Sequence, residues 1–233
     1  MDNKILQTSH HNPNPKGSMI YKILITLMLL ILPTSIFATW SAEIASGVVY
    51  NLPVPLTIQQ MGEPDIHMTA HYETRPFTSP YYYDLRIGKW NGDTAWEFEN
   101  IHQKIYLKNT TDEVSHFSIS HGYNLITINR AWLNKHKYIW RVGLGLVIAH
   151  PESTIRGQTN DDNSGGTLND AGYYVAGPTA MVSLGKRFYV SKSLFMELEG
   201  KVTASYAEVN VVNGTAYAPN VALHANFGLG YDF

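Results

Sequence analysis

The chain has 233 residues, no cysteine, and a formal net charge of −2 from 17 basic and 19 acidic side chains. Disulfides, thiolate chemistry and Cys-based metal sites are thereby excluded, and the near-neutral balance leaves no electrostatic footprint for nucleic acid. A slightly polar mean hydropathy argues against membrane helices, but not against a barrel, in which only alternate strand residues face lipid.

Residues 1–18 are polar and aperiodic, and read as a dispensable extension or a mis-assigned start, with Met19 as the alternative initiator. Residues 19–38 have the layout of a secretory signal peptide: Lys22, an apolar run, Pro33, then the small Ala38. The uninterrupted apolar part, Ile23–Leu32, is short against the roughly 20 residues of a membrane helix; a retained anchor is the other reading. Residues 39–233 are then enough for one domain.

From residue 43 onward the dominant signal is period-2 alternation, which means strands. Glu43–Tyr50 and Leu56–Met61 flank Pro53 and Pro55, either as one bent strand or as two. Ile66, Met68, Ala70 and Tyr72 alternate with His67, Thr69, His71 and Glu73. Tyr81, Tyr83, Leu85 and Ile87 alternate with Tyr82, Asp84, Arg86 and Gly88, and Asn91-Gly92-Asp93 is a hairpin turn. Trp96 and Phe98 oppose Glu97 and Glu99 in a strand that runs to Leu107 with a slip near Asn100. After the polar loop Lys108–Glu113, Phe117, Ile119, Tyr123 and Leu125 oppose His116, Ser118, Ser120, Gly122 and Asn124, with a bulge expected near the end. Asn134–Lys137 is a short turn. Tyr138 to Leu146 alternates around Arg141, Gly143 and Gly145, and Pro151–Asp170 reads as a long polar loop. Tyr174–Leu184 and Leu194–Tyr206 follow, the latter set against Glu197, Glu199 and Lys201.

The last stretch, Val221–Phe233, alternates over thirteen residues, longer than the roughly 5–6 of a soluble strand. Its Asn226, Gly228, Tyr231 and terminal Phe233 resemble the C-terminal signal of bacterial outer-membrane β-barrels, which the assembly machinery reads. The resemblance implies an all-β fold, an up-and-down antiparallel transmembrane barrel in the outer membrane. Its expected partners are outer-membrane lipids and lipopolysaccharide, the barrel assembly machinery and periplasmic chaperones. Strands of about 10–18 residues and connections that alternate between short and long agree with that architecture. With both termini in the periplasm the strand number is even. Ten strands are expected, with eight as the alternative, and Lys108–Glu113 and Pro151–Asp170 should face the exterior.

Mid-strand Asp84, Arg86, Glu97, Glu99, Arg141, Glu197, Glu199 and Lys201 should point inward as an ion-paired plug, since buried charges need partners. A narrow charge-lined channel is the functional alternative. His116-Phe117-Ser118 places an imidazole and a hydroxyl on one strand face, the minimum for an activated oxygen nucleophile. It resembles the His-x-Ser motif of lipid A 3-O-deacylases, small barrels with a Ser–His–Glu triad, although Ile119 stands where that family has Asn. The sequence does not place the acid. His67 and His71 would both be inward, without further donors at a metal spacing, and His150-Pro151-Glu152 reads as a loop start. No metal and no cofactor are expected. The function expected is structural or surface interaction through exterior loops, with an acyl-ester hydrolase as the enzymatic alternative.

Overall fold

A computed structural model describes residues 39–161 and 172–233; both readings of residues 1–38 lie outside the described residues. The described strands are β1 (Thr39–Asn51), β2 (Val54–Gln60), β3 (Ile66–Ala70), β4 (Tyr72–Glu73), β5 (Tyr83–Asn91), β6 (Thr94–Leu107), β7 (Val114–Leu133), β8 (Tyr138–Ala149), β9 (Glu152–Ile155), β10 (Gln158–Asp161), β11 (Tyr174–Tyr189), β12 (Leu194–Val211) and β13 (Gly214–Asp232).

Eight of these close a ring of antiparallel neighbours: β1, β5, β6, β7, β8, β11, β12 and β13, with β13 returning onto β1. The expectation of ten strands is therefore corrected to the alternative of eight. The proline pair is the reason. Pro53 and Pro55 cannot donate to a ladder, so β1 stops at Asn51 and β2 continues along the upper part of β13, from Tyr217 to Gly214. With β3 it forms a hairpin standing on the rim rather than two further staves. The seam is paired to the last residue: Phe233 N donates to Trp40 O at 2.8 Å, and Trp40 N to Phe233 O at 2.9 Å. Closure leaves the ring no open edge, which is what hydrocarbon demands.

Both described termini share one end with the tight turns at Gly92-Asp93, Asn134–Lys137 and Val190–Ser193. The opposite end carries the β2–β3 hairpin, Lys108–Glu113 and a β9–β10 hairpin. That hairpin corrects the reading of Pro151–Asp170 as plain loop. Its β9 pairs with the upper part of β7.

A belt of apolar side chains faces outward, among them Ile44, Ile87, Trp140, Leu144, Leu198 and Phe227. On β12 it runs from Leu194 to Tyr206. At about 3.3 Å per residue and a tilt near 40°, that is roughly 30 Å of height, one hydrocarbon core. The chain is thus a transmembrane barrel by its own surface, of the architecture found in bacterial outer membranes.

Above Tyr206 the polarity of β12 inverts. Glu208 and Asn210 face outward while Ala207, Val209 and Val211 are buried inside. Around the ring, Leu56, Ile58, Ile105, Phe117, Ile119, Ile155 and Val209 join one apolar core within this end. The ion-paired plug expected from the mid-strand charges therefore fills the membrane-spanning part, and the interior at this end is apolar. Beyond the bilayer the exterior meets water, so the barrel behaves as a soluble β-domain with its greasy side in. Tyr72, Phe117 and Ile119 therefore face the core, not lipid, and His67 and His71 are exposed rather than inward.

Candidate functional site at the outer rim

The lumen must be settled first, because a channel needs a free path. Lys201 bonds Asp84, and lies 2.5 Å from Glu99 Oε1 and 3.0 Å from Glu199 Oε1. Arg86 bonds Glu43, Glu99 and Glu199 at 3.0, 2.6 and 3.0 Å. Arg141 bonds Glu97, Glu197 and Glu199 at 2.8, 2.5 and 2.8 Å. The eight charged residues read from the sequence thus meet in one buried layer. Two more belong to it that the alternation could have supplied, Glu43 and Arg187. Asp84, Glu99 and Glu199 lie close enough together to suggest a cation site, but Lys201 bonds all three and already supplies the cation.

The layer is capped on both sides. Below it, the Phe195 ring packs against Arg187, 3.7 Å from its centroid, and Trp90, Ala95, Ala131 and Ile139 close the floor. Above it, an uncharged polar layer is internally bonded: Tyr82 OH donates to Asn226 Oδ1 at 3.1 Å, Tyr123 pairs Ser205 at 2.8 Å, and Gln103 Nε2 and Asn220 Nδ2 each donate to Asn51 Oδ1 at 2.9 Å. Over that sits the apolar core. The interior is filled, as expected for a narrow barrel.

The terminal signal residues divide by face. Asn226 and Gly228 point inward, and Tyr231 and Phe233 outward. Gly228 has a packing reason of its own: a Cβ there would lie 2.4 Å from Glu43 Oε1.

The remaining candidates gather outside the barrel at the rim that carries the longer connections, the outer rim by the rule that membrane barrels have short periplasmic turns and longer outer loops. Against β6, β7 advances from Ile119 to Tyr123 while β6 moves from Ile105 to Gln103. Against β8 and β9 it advances from Ser118 to Tyr123 while the partner moves from Glu152 to Ala149. Two extra residues therefore bulge from β7 at Ser120–Gly122, with Gly122 at φ 147°. A regular strand would put His121 on the inner face with Ile119 and Tyr123. The bulge instead leaves its side chain 57% exposed, 2.7 Å from Glu152 Oε1 through Nδ1. Bulges next to functional sites commonly re-aim a side chain in this way.

Around Glu152 the contacts converge. Ser118 Oγ and Ser120 Oγ donate to Oε2 at 3.3 and 2.9 Å. The His121 and His150 rings meet edge-on at 5.3 Å, and His150 lies 5.3 Å from the Tyr173 ring. Tyr173 OH donates to the His121 carbonyl at 2.7 Å; burial, followed by the nearby Tyr83, raises its phenol above the usual range. His102, bonded to Asn124 at 2.7 Å and stacked on Tyr83 at 4.9 Å, extends the polar patch toward the membrane.

His116 and Ser118 are brought together, with Nε2 to Oγ at 3.3 Å. Glu152 is the nearby acid the sequence could not place. Its position differs from that of a triad, in which the carboxylate orients the imidazole that accepts the serine proton. Here it binds the hydroxyl itself and a different imidazole, and Ser118 is fully buried. The signal for His150 and Glu152 is present in the sequence as His-Pro-Glu at a strand end. Only the register of β9 on β7 joins it to His121.

The sequence matches no protein-family model and no curated protein. Among solved structures, the chain is similar to Ail, the attachment invasion locus protein of Yersinia pestis, at 10% identity and a TM-score of 0.36, covering 84% of this chain and 97% of that one. It is also similar to the outer membrane protein OprG from Pseudomonas aeruginosa (8% identity, TM-score 0.41, 84% and 95% covered). A further similarity is to the outer membrane protease OmpT from Escherichia coli (8% identity, TM-score 0.42, 84% and 97% covered). The barrel assignment rests on the ring and its apolar belt.

Proposed function

We propose that this protein is a sealed outer-membrane barrel that acts as a surface-recognition platform through its extracellular head. One residue carries the reading. Arg156, in the β9–β10 turn, donates Nη1 to Gln60 Oε1 at 3.0 Å, Nη2 to Pro64 O at 2.8 Å and Nε to Glu113 Oε1 at 3.1 Å. A single guanidinium thereby ties together three loops that the sequence separates widely. Loops held over a packed core form a preorganised surface, which lowers the ordering cost of binding. The filled lumen speaks against conduction, and the buried Ser118 with its misplaced acid against hydrolysis. The belt would take membrane lipid, with lipopolysaccharide in the outer leaflet, and Asn226 to Phe233 would serve the assembly machinery after passage with periplasmic chaperones.

The test compares cells displaying wild type with cells displaying a variant whose 54–72 segment is replaced by a short turn, at equal surface amounts. Attachment to arrays of immobilised glycans and matrix proteins should fall in the variant. Equal attachment would overturn the reading, as would discrete openings of the folded protein in planar bilayers.

A further inference from the structure

The polar cluster outside the barrel is more specific than a platform requires. Its donors are two imidazoles and a carboxylate, from His121 on the β7 bulge, His150 at the β8–β9 joint, and Glu152 at the start of β9. One ligand atom from each lies within 4.8 Å of the others. Donors on a tetrahedral shell of about 2.1 Å radius are roughly 3.4 Å apart, so small side-chain rotations separate those that are too close and bring in those that are too far.

Three features show that the arrangement is built. First, the two-residue bulge turns His121 out of the inner face and toward Glu152. Second, the Ser118 and Ser120 hydroxyls both bind Glu152 Oε2, which leaves Oε1 facing His121. Third, Tyr173 holds the His121 backbone through its carbonyl and packs on the His150 ring. Metal sites recur with this outer ring of hydrogen bonds, which orients the ligands.

We propose that His121, His150 and Glu152 bind one divalent transition-metal ion of the zinc class at the outer rim. Two imidazoles with one carboxylate suit zinc, whereas calcium and magnesium take mostly oxygen ligands. Three protein ligands leave one position for water. Because the donors come from β7, the β8–β9 joint and β9, the ion would clasp the extracellular hairpin to the barrel wall. This inference stands independently of the surface-recognition reading.

The test is calorimetric titration of the full-length, untagged chain, refolded in detergent, with zinc chloride and separately with calcium chloride. Wild type should take up one zinc ion that calcium does not replace. His121→Gln and Glu152→Gln should each weaken that binding at least about 100-fold. Ser120→Ala, which removes an orienting hydroxyl, should weaken it about tenfold, and His136→Ala, in a turn at the opposite end, should leave it unchanged. His121 is exposed, so His121→Gln should keep the heat-modifiable gel migration of the folded barrel, and its result counts only with that migration intact. The proposal is overturned if wild type takes up no zinc, if calcium competes equally, or if folded His121→Gln binds zinc as wild type does.

Discussion

Replacing Arg141 by leucine tests the interior directly. Its guanidinium is fully buried and donates to Glu97, Glu197 and Glu199 at 2.8, 2.5 and 2.8 Å. A charge-assisted hydrogen bond contributes about 1.5–3 kcal/mol. The three carboxylates also share Arg86, Arg187 and Lys201, so these losses do not add. Removing one partner from a buried ion cluster costs about 3–5 kcal/mol, chiefly because the remaining charges stay buried; Arg141→Leu should lose that much. Val142, the next residue, points the opposite way and is 52% exposed. Val142→Leu should change stability by less than about 1 kcal/mol, while Val142→Arg should lose about 2–4 kcal/mol near mid-membrane. Reversible urea unfolding in lipid vesicles, followed by tryptophan fluorescence and gel migration, measures all three. A loss below about 1 kcal/mol for Arg141→Leu, or a harmless Val142→Arg, would refute this assignment of faces.

Three further outcomes follow from other parts of the molecule. Gly185→Ala would place a Cβ 2.3 Å from Glu197 Oε1 and 3.1 Å from Arg141 Nη1, so it should cost about 1–3 kcal/mol in the same assay; a neutral result would mean the charge layer is loosely packed. Arg156→Ala should speed proteolytic cutting at residues 60–65 and 108–113 about tenfold or more, without moving the barrel's unfolding midpoint, since it frees loops and not staves. In a chain without cysteine, Asp112→Cys should react with a membrane-impermeant maleimide on intact cells, and His136→Cys only after the outer membrane is opened. The reverse labelling would invert the topology.

The ring was legible because alternation over long runs has few other physical meanings. The mid-strand charges could be paired only by pointing at one another, and they do. What alternation does not give is the side on which a face lies. On β12 the even positions are apolar from Leu194 to Tyr206, and the odd ones from Ala207 to Val211. This change of phase is written in the sequence, but a strand taken to end at Tyr206 does not include it. At the same end Phe117 and Ile119 turn into the core, and His67, on the rim hairpin, is exposed. The difference between ten strands and eight lies at Pro53 and Pro55, where local chemistry predicts a break but not which neighbour takes over the ladder. The rim cluster was the least legible part. His121 and His150-Pro-Glu152 lie about thirty residues apart, and only a two-residue shift in register joins them.

The phase change also fixes where that cluster sits. The outward face turns from Tyr206 to Glu208 on β12, and Tyr50 ends the apolar run of β1 before Asn51 turns inward. These aromatics mark the outer interface, as in other membrane barrels. On β7 the outward sequence reads Trp132, Arg130, Ile128, Ile126 and Asn124, and then the bulge. On β8 it reads Trp140, Val142, Leu144, Leu146 and Ile148, followed by His150. Both neighbours thus leave the apolar belt immediately before the histidines, which places His121, His150 and Glu152 at headgroup height. A bulge at mid-membrane would leave backbone groups unpaired in hydrocarbon, at a cost of several kcal/mol each. One step higher, water satisfies them. The site is therefore where the barrel wall first becomes free to be irregular, and that freedom brings together three donors that a regular ladder would keep apart.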